Sequence, residues 1–357
     1  MPEHDPSLAR YSRQVILPSM GESGQRRLLA SHALVVGAGA LGCTALDQLA
    51  RAGVGRLTIL DRDIVELTNL QRQTLFDESD AAAALPKAVA ASTRLTRVNA
   101  SIQVDAIVTD ITPQNAETIL QSHRPRIILD CTDNLDTRYL LNDLAVKHAV
   151  PLIYAGVIAT RGMQLTILPG RSACLRCVFP EPGAAAQVET CDTVGVLGPA
   201  VAIAASLQAA EALRVLAADA AALASSPLPS LTEFDLSGTR FRTIDLGRLH
   251  AATARAHCPC CGQRQFQFLS GSRTRPAASL CGSGAFQIHS ASPRTLALPA
   301  LGSQLARLGP VQANEFFVRL HPRDGVELTV FADARAIIRG VETEAEARAL
   351  YDRYVGS

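Results

Sequence analysis

A chain of 357 residues with 34 Lys+Arg against 33 Asp+Glu carries a formal charge of +1 and no basic block, which argues against nucleic acid or an anionic membrane as its main partner. With 48% hydrophobic residues it can bury a sizeable core, and its length suggests a large domain plus a smaller one. The polar N-terminus MPEHDPSLARYSRQ lacks the apolar stretch of a secretory signal, so the cytoplasm is the expected compartment, and nine Cys in such a chain point to metal rather than to a disulfide framework.

In chain order, a helix is expected over residues 24–30, then a strand over 33–36, a tight turn over 37–42, a helix to residue 52 and a strand over 56–60, together one βαβ unit. Further strands are expected over 102–107, 127–129, 152–154 and 164–168, most of them separated by helical segments. The fold class is therefore α/β: a Rossmann-like, doubly wound, mainly parallel sheet covered on both faces. Residues 170–193 are rich in Gly, Pro and Cys and read as a surface loop. The apolar stretch 194–207 contains Gly198-Pro199 and runs on into Gln208, Glu211 and Arg214, which predicts a buried helix rather than a membrane span. The loop HCPCCGQ completes a zinc-bearing loop region and a domain over residues 1–269. Residues 270–284 have the composition of a linker. Residues 285–357 form a small α+β domain, with strands over 286–288, 316–320 and 327–331 and a helix after Thr343, where Thr343 and Glu346 stand at capping-box spacing.

The turn GAGALG places Gly37, Gly39, Ala40 and Gly42 at a strand-to-helix junction, where small residues let backbone amides approach phosphates. Asp61, at the end of the second strand, can accept hydrogen bonds from ribose hydroxyls. These features alone would serve a nicotinamide enzyme as well as an ATP user. The stretch LTNLQRQTLF separates the two, because Asn69, Arg72 and Gln73, followed by Pro86-Lys87, supply two cations and amide donors. An ATP-splitting enzyme must neutralise phosphates as a bond breaks, and a hydride-transfer enzyme need not. LDCTDN then brings Asp130, Asp133 and Asn134 to the carboxyl edge of the sheet. Asp133 is placed to hold Mg²⁺ or to face an α-phosphate, whereas Asn134 and Asp136 could equally begin the next helix.

Two C-x-x-C pairs, Cys174 with Cys177 and Cys258 with Cys261, offer four thiolates for tetrahedral Zn²⁺. A closed thiolate shell leaves no open position, so the role would be structural, with Cys260 the odd thiol. Cys43 and Cys131 read as packing residues.

RYSRQ (residues 10–14), GAGALG, ILDRD (59–63), TNLQRQ, PK, CTDN and the paired C-x-x-C together resemble the ThiF/MoeB/HesA adenylyltransferases, relatives of ubiquitin-activating enzymes, over about residues 8–268. Ala40 departs from the Gly that many members carry. The tail is similar to the C-terminal extension of longer ThiF-type proteins. The resemblance implies that ATP adenylates the C-terminal Gly-Gly carboxylate of a ubiquitin-like sulfur carrier protein, releasing pyrophosphate, for thiamine thiazole or molybdopterin biosynthesis, with a sulfurtransferase as a further partner. It also implies that Gly37, Gly39, Ala40 and Gly42 hold the nucleotide and that Asp61 holds its ribose, with Asp63 and Asn134 beside them. Asn69, Arg72, Gln73 and Lys87 would meet the phosphates, and Asp133 the metal or the α-phosphate. Arg13 would reach into the partner subunit's site, which requires a homodimer. Cys191 occupies the position where some relatives link covalently to the carrier. The competing expectations are an NAD-dependent Rossmann oxidoreductase, against which the lack of an evident His or Tyr constellation counts, and a partner-binding relative without catalysis.

Overall fold

The computed structural model describes residues 6–182, 194–273, 285–288, 290 and 294–356. Cys191 and most of the expected linker lie outside these residues. The chain divides into two compact units, the first built on residues up to Thr274 and the second from Arg275 onward.

The first unit opens with α1 (Ser12–Val15) and α2 (Gly21–Leu29) and then alternates strands and helices: β1 (His32–Val36), α3 (Ala40–Ala52), β2 (Arg56–Leu60), α4 (Lys87–Val98), β3 (Gln103–Ile107), α5 (Ala116–His123), β4 (Ile127–Asp130), α6 (Leu135–His148) and β5 (Leu152–Ile158). These five strands pair in parallel in the order β3-β2-β1-β4-β5. Every residue of β1 and β4 is buried, which explains why they read as unbroken apolar runs rather than alternating ones.

Beyond β5 the sheet changes character. β6 (Arg161–Ile167) forms an antiparallel hairpin with β5, from Leu152↔Ile167 to Ile158↔Arg161, so the strands expected over 152–154 and 164–168 are fragments of one longer ribbon. α7 (Leu175–Val178) and α8 (Gly198–Ala217) follow, and then β7 (Leu231–Asp235) and β8 (Arg240–Ile244) extend the sheet to eight strands, again antiparallel. The sheet is mainly parallel as expected, with an antiparallel extension confined to β6–β8. β7 and β8 carry no apolar sequence signal, because Thr232, Glu233, Arg240 and Arg242 interrupt it and four of the five β8 residues are exposed at the sheet edge.

The apolar run beginning at residue 194 becomes helical at Gly198, with Pro199 in the first turn where its missing N–H costs nothing. α8 is long and apolar enough to cross a membrane, yet Ala200, Ala204, Ala205, Ala209 and Ala212 lie in the core cluster that also holds Leu46 and Leu49 of α3. Its buried Gln208 donates to the carbonyls of Asp130 and Ile153, both at 2.8 Å, and so stitches the helix to the ends of β4 and β5.

The second unit contains β9 (Ala285–Ile288), α9 (Leu298–Leu305), β10 (Val311–Ala313), β11 (Phe317–Arg323), β12 (Val326–Phe331), β13 (Ala336–Arg339) and α10 (Glu344–Tyr354). Its sheet is wholly antiparallel in the order β10-β11-β12-β13-β9, five strands where three were expected. Val318, Leu320, Leu328, Val330 and Ile338 form one apolar face with Leu305 of α9 and Tyr351 of α10. Thr343 caps α10 by accepting from Glu346 N–H at 3.2 Å, while Glu346 reaches back to Glu342 N–H at 3.3 Å.

Candidate nucleotide site and cysteine cluster

At the carboxyl ends of β1 and β4, where the strand order reverses, the glycine turn is fixed by sterics. Gly37 has φ +95°, and a Cβ there would lie 2.7 Å from Cys131 O. A Cβ on Gly42 would lie 2.0 Å from Gly37 O, so only glycine lets α3 start against the turn. A Cβ on Gly39, by contrast, meets nothing within 4 Å. The turn is therefore closed toward the protein and open at the helix N-terminus, where unpaired N–H groups can receive an anion.

Asp61 closes the back of this cradle. Its buried carboxylate accepts from Ala38 N–H at 2.6 Å and from Asp63 N–H at 2.7 Å, and burial raises its pKa against the pull of Lys87. Both Asp61 oxygens thus brace the turn and the strand end. Lys87 is the first residue of α4. Its N–H bonds Asp63 O at 2.8 Å and its ammonium bonds Asp63 Oδ2 at 3.2 Å. Burial would lower the Lys87 pKa, but Asp63, Asp61 and Asp133 together hold it above its ordinary value, so the side chain is a buried cation. Arg62 pairs with Asp110 at 2.7 Å and approaches Asp63 at 3.7 Å. Asp133 is exposed at the mouth. The rim thus holds cations already partnered by carboxylates, which an incoming polyanion could take over.

The loop after β2 is a short 3₁₀ turn, Leu67–Asn69, closed by a capping box between Glu66 and Asn69. Asn69 Oδ1 accepts from Glu66 N–H at 3.2 Å, and Arg72 Nη1 donates to Thr68 O at 3.1 Å. Gln73 is buried, and its Oε1 has no hydrogen-bond partner among the described residues. The N-terminus of α8 comes up against this loop, since a Cβ on Gly198 would lie 3.5 Å from Gln71 O. Asn134 is the N-cap of α6, with Oδ1 accepting from Asp136 N–H at 2.8 Å and from Thr137 N–H at 3.3 Å, so that oxygen is committed to the helix. Arg138, which belongs to none of the sequence motifs, donates to Thr132 O at 2.8 Å and to Tyr154 OH at 3.4 Å, bracing the CTDN loop. Its only sequence signal is its position one turn after the cap.

Arg13 is not part of this assembly. Gln14 donates to Ala52 O at 3.0 Å and to Gln25 Oε1 at 2.7 Å, and the Tyr11 OH accepts from Asn99 Nδ2 at 3.0 Å. The Tyr11 ring lies over Gly53, the left-handed C-cap of α3, where a Cβ would come within 2.6 Å of it. These contacts hold α1 at the far end of α3, and thirteen residues at about 1.5 Å each separate that end from the glycine turn by roughly 20 Å. Arg13 itself is exposed.

The two C-x-x-C pairs meet although 84 residues separate Cys174 from Cys258. Sulfur separations are 3.9 Å for Cys174–Cys177, 3.6 Å for Cys174–Cys258 and 3.4 Å for Cys177–Cys261. All four sulfurs lie within 4.8 Å of one another. Tetrahedral thiolates at a Zn–S distance of about 2.3 Å would stand about 3.8 Å apart, close to these separations, so the set can hold a tetrahedral metal ion. A disulfide, at about 2.05 Å, is not formed by any of these pairs. Cys43 and Cys131 are buried, and burial raises both thiols, Cys43 to about 12, as expected of packing residues.

The ThiF family profile matches residues 11–260. The chain is 37% identical to a protein named sulfur carrier protein ThiS adenylyltransferase of Bacillus subtilis, over 97% of this chain and 99% of that one. It is 37% identical to a sulfur carrier protein adenylyltransferase of Thermus thermophilus, covering 73% of this chain and 93% of the relative. It is 39% identical to adenylyltransferase and sulfurtransferase MOCS3 of Sus scrofa, where the match takes in 72% of this chain but only 54% of that longer protein. Among solved structures, Escherichia coli MccB with ATP shares the fold, with a TM-score of 0.56 at 21% identity over 67% of this chain and 69% of that one. The chain belongs to the ThiF family.

Proposed function

We propose that this ThiF-family chain is an ATP-dependent adenylyltransferase that activates the C-terminal Gly-Gly carboxylate of a ubiquitin-like sulfur carrier protein, in the synthesis of the thiamine thiazole or of molybdopterin. The carboxylate attacks the α-phosphorus, an acyl-adenylate forms and pyrophosphate leaves. No general base is needed, because the attacking group is already ionised. The difficulty is electrostatic, since a carboxylate must approach a polyanion.

The observation that carries this reading is Lys87 held as a buried cation against Asp63, at the mouth of a glycine cradle whose Gly39 faces open space. On binding, the phosphates replace Asp63 as the partner of Lys87, with Arg72, Asn69 and Gln73 on the loop above and Asp61 toward the ribose. Asp133 would hold Mg²⁺, which would supply charge screening to the triphosphate when bound. Cys174, Cys177, Cys258 and Cys261 would hold structural Zn²⁺. Arg13, a helix length from its own turn, would serve the site of a second copy, and the working unit is then a homodimer. The identity of 37% across nearly the whole length of a ThiS adenylyltransferase favours a sulfur carrier as substrate. A sulfurtransferase that acts on the adenylated carrier is the expected next partner, and Cys191 is the residue through which a covalent link to the carrier would run.

The deciding measurement is ATP–pyrophosphate exchange with purified carrier. Exchange that appears only with a carrier ending in Gly-Gly, and vanishes when the two glycines are deleted, is expected. Exchange indifferent to the carrier's C-terminus would overturn the assignment of substrate.

A further inference from the structure

Two consecutive residues in the middle of α6, Asn142 and Asp143, are fully buried and polar, and neither belongs to the nucleotide rim. Asn142 Oδ1 accepts from Leu175 N–H at 2.9 Å, inside the first C-x-x-C pair. Its amide Nδ2 donates to Cys260 Sγ at 3.3 Å, inside the second. Asp143 Oδ2 accepts from Phe268 N–H at 2.9 Å and Leu269 N–H at 3.4 Å, on the segment that leaves the second pair. One turn of one helix therefore grips both halves of a cluster whose halves are 84 residues apart in the chain.

The geometry points to Asn142 and Asp143 as positioning residues that preset the four-sulfur site and hold Cys260 out of it. This rests on the reading of the cluster as a zinc site. Bringing together two knuckles across a long stretch of chain is entropically costly, and four bare thiolates repel one another, so the backbone must be fixed by something other than the ligands. A buried amide that bonds a backbone N–H of one knuckle and a thiol of the other does this directly. The same bond explains which sulfur is left over. CPCC offers three thiols; the Cys260 sulfur receives the Asn142 amide and lies beside Asp143 and Cys174, at the edge of the set that Cys258 and Cys261 complete.

The test is zinc release from the full-length protein to a chromophoric chelator, alongside zinc content. Asn142→Ser and Asp143→Asn are expected to release zinc at least about tenfold faster than the parent, the size of effect typical of residues that orient metal ligands. Cys260→Ser is expected to keep one zinc per chain and to release it at the parental rate. With Co²⁺ in place of zinc, Cys260→Ser should retain the absorption of a four-thiolate site. Should Asn142→Ser fail to fold, Asn142→Asp keeps the acceptor for Leu175 and loses the donor to Cys260, and its release should still be accelerated. Parental release rates in both α6 variants, or loss of zinc from Cys260→Ser, would overturn the proposal. A parent chain that binds no zinc at all would instead sink the metal reading on which it stands.

Discussion

The nucleotide rim and the cysteine cluster are both built from charged or chargeable side chains, but they are organised in opposite ways. At the rim, Lys87 rests on Asp63 and Arg62 on Asp110, and Asp133 is open to solvent. Each of these two cations is held by a carboxylate, which phosphate would displace on the proposed function. At the cluster, sulfurs stand close together, and Asn142 and Asp143 behind them bond backbone N–H groups of both halves. On the proposed function, a site that turns over keeps its interactions interchangeable, whereas a site that holds a fold together fixes them from behind.

Breaking the rim should therefore cost activity without stability. Asp133→Ala is expected to reduce ATP–pyrophosphate exchange by about 10²–10³-fold, the scale for losing a group that stabilises developing charge, with an unchanged melting temperature because Asp133 is exposed. Undiminished exchange would remove Asp133 from the chemistry. The glycine turn gives the sharpest internal contrast. Gly42→Ala drives a Cβ to 2.0 Å from Gly37 O and should destabilise the fold by on the order of 3 kcal/mol or more, read by denaturant melts. Gly39→Ala meets open space in an extended conformation and should leave stability within about 0.5 kcal/mol while raising the KM for ATP. Equal destabilisation by the two substitutions would mean that the cradle is closed where it is described as open.

A third place, at the amino ends of the strands and away from the rim, calibrates these effects. His32 bonds Thr58 Oγ1 at 2.8 Å, and burial, with Arg56 nearby, lowers its pKa to about 4. A histidine whose folded pKa lies below its unfolded value of about 6.5 takes up protons first in the unfolded chain, so stability falls as pH drops from about 6.5 to about 4. The full loss is roughly 2–3 kcal/mol, and His32→Gln should flatten that part of the stability profile while exchange activity at neutral pH stays intact. A pH profile identical in the two proteins would show that His32 titrates normally.

What could be read from the sequence follows the range of the interactions. The strand–glycine–helix unit is local, and its steric demands are written in consecutive residues, so Gly37, Gly39 and Gly42 and the first parallel strands were legible. The C-x-x-C spacing was legible as two pairs, and their meeting is a matter of chain path. Asn142 and Asp143 were invisible, because a polar pair inside a helix looks the same whether it faces water or grips a distant backbone. Their sequence signal is their place between Leu140-Leu141 and Leu144-Ala145, which leaves them no solvent to face. β7 and β8 escaped for a different reason, since an edge ribbon with polar alternation carries no burial signature. Asn134 shows the remaining ambiguity: the same residue suits a cap and a ligand, and here its oxygen caps α6.

The anchoring of Tyr11 and Gln14 at the far end of α3 has a consequence for genetics. With Arg13 stationed there and Asp133 at the opposite end, the proposed homodimer makes a genetic prediction: two alleles that each abolish growth, one at each position, should complement one another when expressed together, since a mixed pair would still contain one intact composite centre. Two alleles at Lys87 and Asp133 should not, because every centre in that mixture carries one lesion or the other.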